Sequence, residues 1–119
     1  MQISKIIFKS LDKEKLGQFL SHLFEMEFDH ADHMVVLKHD QGMVFYLEDI
    51  LEPIVEGNTV IDLAFDSTQE LHDLMQKIHF LEYRGFSGIV MTDLSSDGSG
   101  HYFEFTDFDR RIWRLSSKN

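Results

Sequence analysis

Residues 60–78 repeat the pattern of residues 5–23, and such a repeat leaves the chain few architectures. A shift of 55 positions places Ile6 on Ile61, Phe8 on Leu63, Leu16 on Leu71, Phe19 on Leu74, Leu20 on Met75 and Leu23 on Ile78. Each copy reads as a strand, then a helix, then two or three strands. The expected fold class is therefore α+β, with two tandem βαβββ modules pairing to form a curved mixed sheet around a cleft. The predicted organisation is one domain over residues 1–119: module one at about 1–50, a linker at about 51–58 and module two at about 59–117.

Local signals support this division. Residues 3–10 predict a strand, and Asp12 is placed to cap a helix over about 12–25, with Leu16, Phe19, Leu20 and Leu23 at helical spacing. Strands are expected at 27–31 and 33–39 around Ala31-Asp32. Asp40-Gln41-Gly42 then turns the chain into a strand at 43–48. The only proline, Pro53, falls in the linker with Gly57. A strand at 59–66 leads to Ser67, which with Glu70 has the spacing of a capping box. Leu71, Leu74, Met75 and Ile78 form the expected buried stripe of the second helix. The remaining strands are predicted at 87–94, 101–106 and 111–116, with a loop at 95–100 and a tight turn at 107–110.

Charge and composition narrow the function. The net charge of −10 argues against nucleic acid and against anionic membranes, since binding to either is driven by cationic side chains. With no cysteine in the chain, disulfides, thiolate zinc sites and a cysteine nucleophile are excluded. No serine sits in a Gly-x-Ser-x-Gly elbow. Met1-Gln2-Ile3-Ser4-Lys5 opens directly into a strand pattern, and no apolar run is long enough to span a bilayer; the expectation is a cytoplasmic protein.

The segment from His101 to Leu115 resembles the closing hairpin of the vicinal oxygen chelate superfamily, the glyoxalase, bleomycin-resistance and extradiol-dioxygenase group. That hairpin usually reads Phe-x-Asp-Pro-Asp-Gly followed by Glu-Leu. Phe105, Asp107, Asp109 and Leu115 keep the pattern, while Phe108, Arg110 and Arg114 replace the proline, glycine and glutamate. The runs Lys5–Asp12 and Val60–Asp66 resemble the first strands of the two halves. The resemblance implies four inward-facing positions that hold a divalent ion in the metalloenzymes of the group. Here they match Lys5, Tyr46, Val60 and Arg114. Valine has no donor atom and two of the others are cations, so no metal and no other cofactor is expected.

Strand alternation assigns the faces. Ile6, Phe8, Phe45, Leu47, Ile61, Leu63, Phe65, Trp113 and Leu115 are expected in the core under the helices. The opposite faces then carry the candidate ligand-binding residues Lys5, Lys9, Tyr46, Glu48, Asp62 and Arg114, and His101 joins them from a strand end. In the functional reading, Lys5 and Arg114, helped by the Tyr46 hydroxyl, receive an anionic group. In the bland reading, Asp62 and Glu48 simply pair with Lys5 and Arg114. His30, His33 and His39 cluster in sequence, but they are spread along a turn and a strand, which does not make a metal site.

The expected function is that of a metal-independent glyoxalase/bleomycin-resistance-like protein that binds a small organic molecule in the cleft, anionic in the functional reading, with the question of catalysis left open. The alternatives are a metal-dependent or metal-free enzyme of the same superfamily (a lyase, isomerase or dioxygenase), and a non-catalytic association domain. The expected partners are the small ligand and a second copy of the chain, with Phe108, Tyr102 or Ile50-Leu51 supplying the apolar dimer surface.

Overall fold

The computed structural model describes residues 1–50 and 59–118. The expected linker at 51–58 lies outside the described residues. The chain divides into two compact units, Met1–Ile54 and Val55–Asn119.

The first unit runs β1 (Ile7–Ser10), α1 (Lys13–Phe24), β2 (Glu27–Ala31), β3 (Met34–Lys38) and β4 (Val44–Asp49). Asp12 caps α1 as expected, its carboxylate accepting from the Lys15 N–H at 3.1 Å. Glu25 ends the helix in the left-handed conformation. The sheet order is β1-β4-β3-β2, with β1 parallel to β4 and the other pairs antiparallel. Asp32 and His33 both take positive φ, 50° and 67°, in the two-residue turn between β2 and β3.

Helix α1 packs on this sheet through Leu16, Phe19, Leu20 and Leu23, all essentially buried. Its closest approach is at Gly17, where an added Cβ would meet Val35 Cγ1 at 2.8 Å and Phe28 Cε2 at 2.9 Å. Phe45 and Leu47 are buried on the same side as expected. Ile6 is not: it precedes β1 and is 45% exposed. Only its carbonyl joins the sheet, accepting the Tyr46 N–H at 3.1 Å. The strand expected at 3–10 therefore starts four residues late, at Ile7.

The second unit runs β5 (Val60–Phe65), α2 (Thr68–Tyr83), β6 (Val90–Met91), β7 (Ser95–Ser96), β8 (His101–Thr106) and β9 (Ile112–Ser117). Ser67 caps α2, its hydroxyl accepting from the Glu70 N–H at 3.2 Å. Leu71, Ile78 and Leu81 are the buried residues of α2; Leu74 and Met75 of the expected stripe are only half-buried. The sheet order is β5-β9-β8-β6, and β7 also pairs with β8. As in the first unit, the first and last strands are parallel.

The edge of this sheet differs from expectation. In place of one strand at 87–94, two dipeptide strands, β6 and β7, pair with β8. Gly88, at φ 103°, interrupts the extended backbone before β6. Between the two fragments the Thr92 hydroxyl substitutes for a ladder group: the Glu104 N–H donates to Thr92 Oγ1 at 2.9 Å. Ser95–Ser96, expected in a loop, begins a hairpin closed by the Asp97 N–H to Gly100 carbonyl bond of 3.2 Å.

Trp113, Phe103, Phe105 and Leu115 are fully buried. Each such side chain contributes about 1.5–3 kcal/mol through burial. Ser117, on the same side of β9 as Trp113 and Leu115, lies 3.3 Å from the Thr68 hydroxyl of α2, which fixes that face as the helix side. Arg114 and Ser116 therefore project from the other face.

Candidate functional site

Alternation and register on the second sheet assemble one charged row. Asp62 on β5 is opposite Arg114 on β9, and Arg114 is opposite Glu104 on β8. All three lie on the face turned away from α2. Arg114 Nε donates to Glu104 Oε2 at 2.9 Å, and Arg114 Nη2 reaches the same oxygen at 2.8 Å. Its guanidinium also lies 5.1 Å from the centre of the Tyr102 ring, a cation–π distance. In the next row Ser116 is opposite Tyr102 and donates to Asp62 Oδ1 at 2.8 Å. The Glu104 hydrogen bond, then its charge and those of Asp62 and Tyr102, raise the Arg114 pKa above its ordinary value. Arg114 is thus a permanent cation, with its side chain 41% exposed.

This row borders a hollow of about 480 Å³ in the second unit. Asp62, Arg114, Tyr102 and Ser116 line it from the strands; Asp97, Ser99 and His101 line it from the β7–β8 hairpin and the start of β8. The hairpin is held by Asp97, whose carboxylate accepts from the Ser99 hydroxyl at 2.8 Å and the Ser99 N–H at 3.0 Å. The Ser99 hydroxyl, followed by the Ser99 N–H, holds the Asp97 carboxyl below its ordinary pKa. Gly100 lets the hairpin close, because a Cβ there would run into the Ser117 carbonyl oxygen.

Of the residues expected from sequence, Asp62, His101 and Arg114 line this hollow. Lys5, Lys9, Tyr46 and Glu48 belong to the first unit. There Lys5 Nζ sits 5.0 Å from the Tyr46 ring centre, and Lys9 pairs with Glu48 at 3.6 Å. In place of the ion pairs expected from sequence, Glu48 or Asp62 with Lys5 or Arg114, the structure pairs Lys9 with Glu48 and Arg114 with Glu104. Glu104 and Tyr102 were missed, although alternation with Phe103 and Phe105 points both away from the core. By the same alternation His101 falls on the Phe103 side of β8, opposite the face of Arg114.

The closing turn is organised by a second carboxylate. Asp107, fully buried, accepts from the Asp109 N–H at 2.8 Å and the Arg111 N–H at 3.0 Å through Oδ1. Through Oδ2 it accepts from Arg111 Nη1 at 3.0 Å and Trp113 Nε1 at 2.9 Å. Arg110, where glycine is usual, takes φ 60°. His30 is bound to Glu14 at 2.7 Å and tethers β2 to α1.

No protein-family model and no curated protein matches the sequence. Solved structures do match. The fosfomycin resistance protein FosX from Listeria monocytogenes has a TM-score of 0.79 at 19% identity, over 98% of this chain and 93% of its own. A mutant of that protein, in complex with Mn(II) and 1S,2S-dihydroxypropylphosphonic acid, has a TM-score of 0.78 at 17% identity, over 98% and 91%. A glyoxylase/bleomycin resistance protein/dioxygenase domain from Frankia sp. EAN1pec has 0.78 at 12% identity, over 98% and 91%. These neighbours belong to the vicinal oxygen chelate superfamily, the group the closing hairpin resembles, and the chain shares their βαβββ fold.

The residues present do not fit the divalent ion that this superfamily implies. Strand register sets Val60 opposite Ile112, so the β5 side chain beside Arg114 is Asp62. Moving the expected position to Asp62 supplies a carboxylate, but the guanidinium already stands between it and Glu104. Among the described residues no three His, Cys, Asp or Glu side chains gather as a ligand set. Also among them, no helix is long and apolar enough to cross a membrane.

Proposed function

We propose that this protein binds a small organic anion on the second sheet, with Arg114 rather than a metal ion as the counter-charge. The carrying observation is the placement of Arg114: a half-exposed guanidinium in the middle of a strand face, stacked on Tyr102 beside a hollow of about 480 Å³. A hollow of that size accommodates a small metabolite. Arginine's planar fork suits a carboxylate or phosphate, and the Tyr102 ring keeps it oriented. The Ser116 and Ser99 hydroxyl oxygens, whose protons go to Asp62 and Asp97, can accept hydrogen bonds from the rest of the ligand. The reading is one of binding without transformation, with the Asp62 carboxylate engaged by Ser116.

A thermal-shift screen of organic anions tests this, since a ligand bound to the native state raises its melting temperature. The reading requires hits that vanish in Arg114→Ala. Hits that survive that substitution would move the site elsewhere.

A non-catalytic association role is the second reading, and exposed aromatic residues favour it. Phe80 and Tyr83 of α2 are 55% and 88% exposed, whereas Phe108, Tyr102 and Ile50 of the expected dimer surface are half-buried. Leu51 lies outside the described residues. Homodimer formation remains part of the proposal, with the exposed face of α2 as a contact; light scattering on wild type and Tyr83→Ser checks it.

A further inference from the structure

Resting on the reading of Arg114 as an anion receptor, we infer that Glu104 is an internal competitor for the Arg114 donors and sets the affinity an anion must exceed to bind. Both Arg114 nitrogens that contact Glu104 converge on one oxygen, Oε2, at 2.9 and 2.8 Å. These two nitrogens form one edge of the guanidinium, the edge an incoming carboxylate would engage with its two oxygens. An external anion and Glu104 therefore compete for the same donors. Glu104 can yield without disturbing the fold. Its side chain is 26% exposed, and its backbone is fastened independently by Thr92, whose hydroxyl accepts the Glu104 N–H and whose N–H donates to the Glu104 carbonyl at 2.8 Å. Arg114 need not collapse when Glu104 departs, because the Tyr102 ring still supports it.

The charge pattern extends the argument to ligand class. Arg114 is flanked by Asp62 in register on its other side, and Asp66 and Asp97 also line the hollow, against one further cation, Lys118. A weak monoanion enters against these carboxylates and must also displace Glu104. A ligand succeeds only if its anionic group is joined to a body that gains contacts in the hollow. Simple inorganic anions thereby fall below the threshold, and organic anions with further contacts exceed it. Glu104 supplies this threshold, because an ion with no further contacts does not offset its displacement.

NMR titration of the Arg114 Nε–H signal with benzoate, using acetate and benzamide as comparison probes, tests the inference in wild type and in Glu104→Gln and Arg114→Ala variants. Glu104→Gln should bind benzoate about threefold or more tightly than wild type, a change of the size an exposed ion pair contributes. Acetate should tighten by a similar factor, since displacing Glu104 costs either anion the same. Benzamide should bind neither protein, and Arg114→Ala, followed through backbone signals, should lose benzoate binding. If benzoate binding depends on Arg114 but is equal or weaker in Glu104→Gln, the competitor role is overturned and the anion site stands. If Arg114→Ala binds benzoate as wild type does, or no protein binds it, both fall. Weak wild-type binding with clear binding in Glu104→Gln supports the inference most directly.

Discussion

Trp113 donates its indole N–H to Asp107 across the closing turn, Nε1 to Oδ2 at 2.9 Å, with both side chains fully buried. The same carboxylate holds Arg111 and the backbone of the turn. This hub fixes the start of β9, and β9 carries Arg114. The turn and the candidate site are therefore linked through one strand.

Removing the Asp107 carboxylate leaves the Arg111 guanidinium and the indole N–H without their shared acceptor. Asp107→Ala should cost about 3–5 kcal/mol of stability in urea unfolding, the range for breaking a buried pair. Trp113→Phe removes one of those bonds and should cost less, about 0.5–1.5 kcal/mol for the bond together with a packing loss. Equal stability of Asp107→Ala and wild type would refute the hub.

Arg110 pays for its left-handed backbone, φ 60°, at a turn position where glycine is the usual residue. The left-handed conformation costs a non-glycine residue about 1–2 kcal/mol. Arg110→Gly recovers part of this against the extra entropy of an unfolded glycine, so the midpoint of urea unfolding should rise. A lowered midpoint would show that the Arg110 side chain stabilises the turn by more than its backbone strain costs.

Gly17 presents the opposite case. Alanine is the better helix former by about 1 kcal/mol. Its Cβ would nevertheless press on Val35 and Phe28 at 2.8 and 2.9 Å. Overpacking of this kind costs about 1–3 kcal/mol, so Gly17→Ala should be destabilised on balance. A stabilised Gly17→Ala would mean that α1 can lift from the sheet at little cost.

The hairpin beside the hollow carries a pH signature. Asp97 has its pKa depressed by Ser99, so its folded pKa lies below its unfolded one. The associated stability is present above the ordinary carboxylate range and is lost as pH falls through the depressed value. Ser99→Ala should raise the Asp97 midpoint in a carboxyl-carbon NMR titration. The stability gap between wild type and variant should close on acidification. An unchanged midpoint contradicts the assignment.

The sequence made the architecture legible because both modules rely on signals of short range. Asp12 and Ser67 cap the helices, and Leu16, Phe19, Leu20 and Leu23 mark a helical face. Phe45, Leu47, Trp113 and Leu115 mark core faces by alternation alone. Where the signal failed, the reason is physical. Ile6 is apolar but precedes the first ladder pair, and residues 87–94 contain a positive-φ glycine and a side-chain substitution in the ladder that no periodicity reveals. Asp62 and Arg114 were readable as face residues. Their true neighbours were not, since register across β5, β9 and β8 decides that Arg114 meets Glu104. Lys5 and Tyr46 stack on each other in the first unit, a contact the expected ion pairs did not anticipate.

The central claim is that a guanidinium, not a metal, receives the ligand. Isothermal titration of the strongest organic anion from the screen, with and without a chelator and then with Mn(II) added, tests it most directly. The account predicts the same affinity under all three conditions, and loss of binding in Arg114→Ala. Binding that disappears with chelator and returns with Mn(II) would contradict it.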